Sequence, residues 1–256
     1  MSSNDGIGKI LGVALALCIV CSVIVSTAAV VLKPAQEANK SLDRKRNILQ
    51  AAGMLEEGRS VEEQFAVVEE RFVDLQSGEF TDSVTPGYDQ RAAAKDPATS
   101  RDVPSDEDIA KVGRQASVAQ VYLVRGDSGD YEKIILPVHG YGLWSTLYGF
   151  LALESDGNTV AGLGFYDHGE TPGLGGEVDN PRWKALWPGK KVYRDGEVEL
   201  GLKKGAVDPT SSDADWNVDG LSGATLTSRG VTNLIDFWLG DNGFAPFLAN
   251  LRNGEA

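Results

Sequence analysis

The sequence predicts an α+β protein: an N-terminal transmembrane helix, a helical preamble, and then an antiparallel-sheet domain with flanking helices. Three observations predict it. Ile10 to Leu32 is a run of 23 residues without a formal charge. From Ala116 onward, β-like runs follow one another with turn signals between them. One strong helical pattern, from about Ser228 to Leu239, closes the series. Strands in succession with helices at the ends favour α+β over a doubly wound sheet. The expected segments are residues 1–33 as anchor, 34–115 as a helical and irregular juxtamembrane region, and 116–256 as the sheet domain.

The apolar run is bracketed by Lys9 and Lys33. As a helix it reaches about 34 Å, enough to cross a hydrocarbon core of roughly 30 Å. The core of a cleavable signal is shorter than this, so a retained anchor is expected, although "STAA" has the look of a cleavage site. Lys33, Lys40, Arg44, Lys45 and Arg46 follow the span, and only Lys9 precedes it. A positive-inside count alone therefore places the large domain in the cytoplasm, but large domains are exported against such a bias. Cys18 and Cys21 are the only cysteines. They share one face of an apolar helix, where small packing residues are a better reading than a C-x-x-C metal or redox site.

Ala35 to Ala52 is basic, Ala-rich and expected to be helical. "SVEEQFAVVEERFVDL" opens with Ser60 and Glu63, a capping-box pair. Val61, Phe65, Val68, Phe72 and Leu75 then recur at spacings of four and three, which predicts an amphipathic helix. Gln76 to Gln115 is rich in Asp, Ser, Pro, Ala and Gly and predicts a long irregular stretch, with a short helix near Glu107 to Val112.

The sheet strands are expected in "ASVAQVYLV", "YEKIILPV", "STLYGFLALE", "NTVAGLGFYDH" and "EVELGLKK". "ESDGN" joins the third to the fourth as a hairpin turn. Val231, Leu234, Ile235, Trp238 and Leu239 then recur at helical spacing, and Gly240 ends the run.

Composition excludes several chemistries. The net charge of −13 argues against nucleic acid, whose phosphates require clustered Lys and Arg. Two histidines cannot build a three-His zinc site, and no H-E-x-x-H, Walker A or G-x-S-x-G sequence is present. No metal site and no catalytic residue is expected from this chain. A demanding reaction here would require a borrowed cofactor.

One stretch stands apart. "DGLSGATLTS", Asp219 to Ser228, crowds four hydroxyls and two glycines at the start of the last helix. Free backbone N–H groups and the helix dipole favour an anion there. Gly223 lets the backbone approach a ligand, and Ala224 keeps the space open. A phosphate suits such a place, and plain helix capping is the bland alternative.

"DGLSGAT" resembles the flavinylation motif of the FMN-binding domain family, D-G-x-[ST]-G-A-T. The resemblance implies FMN held covalently by its phosphate on Thr225, attached by a separate flavin transferase. Asp219, Ser222, Gly223, Ala224 and Thr227 belong to the same stretch. "HGETPGLGGE", His168 to Glu177, resembles the family's H-x-E-T-P-G-L-G segment. By that resemblance Glu170, Thr171, Gly173, Leu174 and Gly175 wrap the flavin. "HGYGLWSTLYG" resembles a third family segment and offers Tyr141, Trp144 and Ser145 near the ring. Lys203, or its neighbour Lys204, is a candidate partner for phosphate or ring.

The layout of the whole chain is similar to the C subunits of Na+-translocating NADH:quinone oxidoreductases. This resemblance implies a single-pass protein of the bacterial inner membrane with a periplasmic FMN domain, which overrides the charge count. It implies the other subunits of that complex as partners and a translocase to which this chain contributes no complete active site. It also implies an electron relay from an iron–sulfur centre to a second flavin and on to quinone. A G-type subunit of an Rnf ferredoxin:NAD complex shares the flavin domain but is shorter. A non-redox assembly module, its hydroxyl turn a mere cap, is the rival from another class.

Overall fold

The computed structural model describes residues 6–126 and 129–255. Residues 1–5, 127–128 and 256, which fall at the edges of the expected anchor and inside the expected sheet domain, lie outside the described residues. The chain divides into two compact units, Met1–Arg44 and Lys45–Ala256.

The first unit is helical. Helix α1 spans Ile7–Ala51, and its N-terminal part is long and apolar enough to cross a membrane, with its apolar side chains exposed. The expected helix over the Ala-rich segment is the continuation of α1. Among its final residues, Ile48, Leu49 and Ala51 are buried within the second unit.

The second unit is built on five antiparallel strands in the order β1-β4-β5-β6-β7. These are β1 (Val68–Asp74), β4 (Val118–Arg125), β5 (Tyr131–Tyr141), β6 (Thr146–Glu154) and β7 (Val160–Asp167); β2 (Ser100–Asp102) and β3 (Arg114–Ala116) form a separate ribbon. The strands from β4 to β7 form a meander. Its last hairpin turns where expected: Gly157, at φ +62°, donates its N–H to Glu154 O at 3.0 Å.

Alternation along these strands sorts side chains onto two faces. Ala119, Val121, Leu123, Ile134, Leu136 and Val138 point to the larger core. Helix α5 (Thr225–Leu239) packs there against β5 through Val231, Leu234, Ile235 and Trp238. Tyr122, Val124, Ile135, Phe150 and Ala152 point the other way, onto Ile48, Ala51 and Ala52. Phe65, in the short helix α2 (Val61–Phe65), packs on this second cluster.

The amphipathic helix expected from Val61 to Leu75 is corrected by the structure. Ser60 does cap a helix, accepting from Glu63 N at 3.2 Å, but that helix stops at Phe65 and Val68–Asp74 is β1. The cause lies in β4, buried from Ala119 to Val124. A buried strand needs its outward N–H and C=O groups paired, and β1 supplies that ladder in a register running from Val68↔Val124 to Asp74↔Val118.

The helix expected at Glu107–Val112 is also absent. Asp108 instead accepts from Val112 N at 2.7 Å and Gly113 N at 2.8 Å, closing a turn. The excursion does contain a short helix elsewhere, α3 (Gln90–Ala93), capped by Asp89.

After β7 come a 3-10 turn (Gly175–Asp179), α4 (Pro181–Lys184) and two small sheets. The expected strand "EVELGLKK" is split between β9 (Glu197–Val198), paired with β8 (Tyr193–Arg194), and β10 (Gly201–Lys203), which runs parallel to β11 (Asn217–Asp219). A last helix, α6 (Ala245–Asn253), is not among the elements the sequence predicts. It starts with Pro in its first turn, ends on Gly254 at φ +73°, and buries Phe247 and Leu248.

Candidate functional site

The site is assembled around the start of α5. The turn Gly220–Ala224 arrives from β11, whose position is fixed by several bonds. Asp219 Oδ1 accepts from Val207 N at 2.8 Å, and its carbonyl accepts from Trp183 Nε1 at 2.9 Å. Gly220 donates to Lys203 O at 2.8 Å and lies so close that a Cβ there would meet that oxygen at 2.7 Å. Asp219 thus holds the 204–207 loop beside the turn.

Helix α5 begins on Ala224 as N-cap, and no side chain caps it. The capping alternative therefore fails for the hydroxyls of Ser222 and Thr225, both exposed. Ser228 does the structural work instead. Its buried hydroxyl accepts from Leu221 N at 3.0 Å and donates to Ala224 O at 3.1 Å, folding the turn back onto the helix. Gly223 sits at φ +71°, a region that side chains with a Cβ rarely adopt. A Cβ there would also meet Leu174 Cδ2 at 3.0 Å. This contact brings the Asp219–Ser228 and His168–Glu177 stretches together.

Beside the turn lies a cavity of about 630 Å3 lined by Lys203, Lys204, Gly205, Ser222, Thr225 and Arg229, among others. It has the dimensions of a small-molecule site. Lys203 pairs with Asp213 at 3.1 Å. Lys204 and Arg229 are exposed and form no ion pair among the described residues. The motifs in the sequence point to the lysines and pass over Arg229. Its signal is the i+4 spacing from Thr225, which puts both on one helix face.

The second motif is buried more deeply. Glu170 is only 5 % exposed. Its Oε1 accepts from the N–H groups of Leu143, Trp144 and Ser145 at 3.0, 2.9 and 3.3 Å. Its Oε2 accepts from the buried Thr227 hydroxyl at 2.7 Å. Burial pushes the Glu170 carboxyl up, but the Thr227 hydroxyl and the three amides outweigh it and hold its pKa below the ordinary 4.5. Gly175 makes room: a Cβ there would stand 2.5 Å from both Glu170 Oε2 and Thr227 Oγ1.

The other expected residues divide by exposure. Trp144, Leu174 and Tyr141 present apolar surface, Trp144 being 66 % exposed. Lys111 Nζ stands 5.4 Å from the centre of the Tyr141 ring. Ser145 Oγ accepts from Gly169 N at 2.6 Å, joining the two loops. The Thr171 carbonyl accepts from Leu174 N at 3.1 Å and Gly176 N at 2.9 Å, and Gly173, at φ +75°, turns the chain between them. His168 receives Glu170 N on Nδ1 at 3.2 Å, which makes Nε2 the donor to Asp179 at 2.9 Å.

The residues present suit a flavin nucleotide. An exposed hydroxyl on the first helical turn, amides that favour an anion, two uncommitted cations and adjoining apolar surface offer something to phosphate, ribityl and ring alike. The fold and site define a flavin-binding domain, and residues 142–240 match the FMN-binding domain family.

The relatives narrow this further. The chain is 56 % identical over its full length to the whole of the C subunit of a Na(+)-translocating NADH-quinone reductase from Pseudomonas aeruginosa. It is 52 % identical to the corresponding protein of Vibrio vulnificus, covering 99 % of each. The crystal structure of Shewanella oneidensis NqrC superposes with a TM-score of 0.77 at 37 % identity, covering 84 % of this chain and 99 % of that one. The crystal structure of the equivalent Parabacteroides distasonis protein gives 0.63 at 29 % identity, covering 85 % of this chain and 96 % of that one. The chain belongs to the NqrC family, the C subunits of Na+-translocating NADH-quinone reductases. Its partners are accordingly the other subunits of that complex.

Proposed function

We propose that this chain is the electron-carrier subunit of its complex and holds FMN through a phosphoester on Thr225. The observation that carries the reading is the exposed Thr225 hydroxyl at the uncapped start of α5, beside the cavity. The ester forms when Thr225 Oγ gives up its proton to a flavin transferase and attacks the flavin-bearing phosphorus of a flavin dinucleotide, the pyrophosphate P–O bond breaking and the other half leaving as the nucleoside monophosphate. The linkage keeps one negative charge, which the first-turn amides of α5 solvate and which Arg229 and Lys204 attract. Ser222, Gly223 and Ala224 leave the approach unobstructed. Leu174, Trp144 and Tyr141 supply apolar surface for the ring, and Thr171 and Gly173 shape the loop that carries Leu174.

When bound, FMN would supply one- and two-electron chemistry, which suits a subunit placed between an iron–sulfur centre in its partners and a second flavin that leads on to quinone. The chain's own contribution is to hold the group and confine it near its donors, α1 limiting the volume it searches. The FMN domain is assigned to the periplasmic side of the inner membrane. Protease added to spheroplasts should therefore cleave it.

Mass spectrometry of the full chain co-expressed with a flavin transferase should show an FMN adduct on Thr225. Thr225→Ala should lose the adduct and abolish quinone reduction by the complex. Covalent flavin retained in that variant refutes the assignment. A colourless wild-type chain would instead favour a non-redox assembly role.

A further inference from the structure

We infer that Glu170 is a positioning residue: it latches the Leu143–Ser145 turn to the first turn of α5 and thereby sets Trp144 and Leu174 in their places around Thr225. This rests on the reading that Thr225 carries FMN, and it gives Glu170 a role other than touching the flavin. Three successive backbone N–H groups converge on Oε1. Such a run of amides forms an anion-binding nest, and here the nest is filled by the protein's own carboxylate. The remaining oxygen accepts from Thr227, two residues beyond Thr225.

A carboxylate offers about four acceptor positions; three of the chain's own donors crowd Oε1 and a fourth engages Oε2. The surroundings are shaped for this arrangement. A Cβ at Gly142 would meet Oε1 at 2.6 Å, and one at Gly175 would meet Oε2 at 2.5 Å. One buried side chain thus joins loops that lie 27 and 57 residues away in sequence. The turn carries Trp144, the 168–176 loop carries Leu174, and the helix carries Thr225. The three segments that carry Trp144, Leu174 and Thr225 are thus tied to one another through this carboxylate.

The test uses the full chain co-expressed with a flavin transferase, comparing wild type, Glu170→Gln, Glu170→Ala and Thr227→Val. Gln keeps an oxygen for the three amides and offers an N–H to the Thr227 hydroxyl. It should retain covalent flavin and the visible circular dichroism of the bound ring. Ala should slow attachment at least tenfold and flatten the visible dichroism, with far-UV dichroism unchanged. Thr227→Val should act in the same direction, and the double variant should be no worse than Glu170→Ala alone. Wild-type attachment and visible dichroism in Glu170→Ala, or additive losses in the double variant, overturn the proposal.

A wild-type chain that never acquires the adduct ends the Thr225 reading instead. The latch is then judged by amide hydrogen exchange at Leu143, Trp144 and Ser145. Faster exchange in Glu170→Ala supports it, and unchanged exchange overturns it.

Discussion

Gly230→Ala sets helix propensity against packing. Gly230 lies inside α5, where Ala is ordinarily better by about 1 kcal/mol because glycine loses more freedom on folding. Propensity alone therefore predicts a stabilised protein. The structure predicts the opposite. A Cβ at Gly230 would stand 2.4 Å from Tyr141 O and 2.9 Å from Gly142 Cα, both backbone atoms at the end of β5. No rotamer relieves such a clash, so α5 must move away from the sheet. Overpacking of this kind costs about 3 kcal/mol, leaving a net loss of about 2 kcal/mol after the propensity gain. For a unit of this size that lowers the melting temperature by roughly 4–8 °C. The assay is thermal unfolding of the full chain in detergent, followed by tryptophan fluorescence. Because α5 also carries Thr225, flavin attachment should fall in parallel. A melting temperature equal to or above wild type would refute the packing argument.

Three further outcomes are expected. Arg229→Glu replaces an uncommitted cation beside Thr225 with an anion and should slow flavin attachment about threefold, more at low salt than at high salt, as densitometry of covalent flavin would show. His139 is stacked 5.3 Å from Tyr148 and lies 4.9 Å from Trp238, and burial lowers its pKa from 6.5 to about 4. Its unfolded form takes up the proton first, so acidification from pH 6.5 to about 4 should remove about 3 kcal/mol of stability. Urea titrations across that window should show the loss, reduced in His139→Gln. Glu170 has its folded pKa held below 4.5, so its contribution is present above that value and is lost as pH falls through the folded pKa; Glu170→Gln should remove this part of the acid dependence in the same titrations.

Much of the fold is legible in the sequence because alternation has a direct physical cause. β4 to β7 each place apolar residues on two covered faces, and "ESDGN" carries the turn chemistry their last hairpin needs. β1 is not legible, because Val61, Phe65, Val68, Phe72 and Leu75 satisfy a helical stripe, and only the unpaired side of β4 decides against it. That deciding partner lies some fifty residues away, beyond the reach of any local pattern.

The candidate site divides in the same way. Gly223 and the hydroxyl-rich turn are local, and their backbone consequences can be read directly. The Glu170–Thr227 bond joins residues 57 apart, and nothing in either segment announces the other. The division of labour among the hydroxyls is equally hidden: Ser228 closes the turn, Thr227 is buried against Glu170, and Thr225 faces outward.

The bare alanine that opens α5 carries a consequence for biogenesis. A serine or aspartate in its place would strengthen the helix by about 1 kcal/mol, so the start of α5 is held less firmly than a side-chain cap would hold it. On the proposed reading, an anion fixed there would supply the missing stabilisation, tying cofactor loading to consolidation of the fold. On that reading a chain that has missed its flavin would be the less stable form and so the one more open to proteolysis.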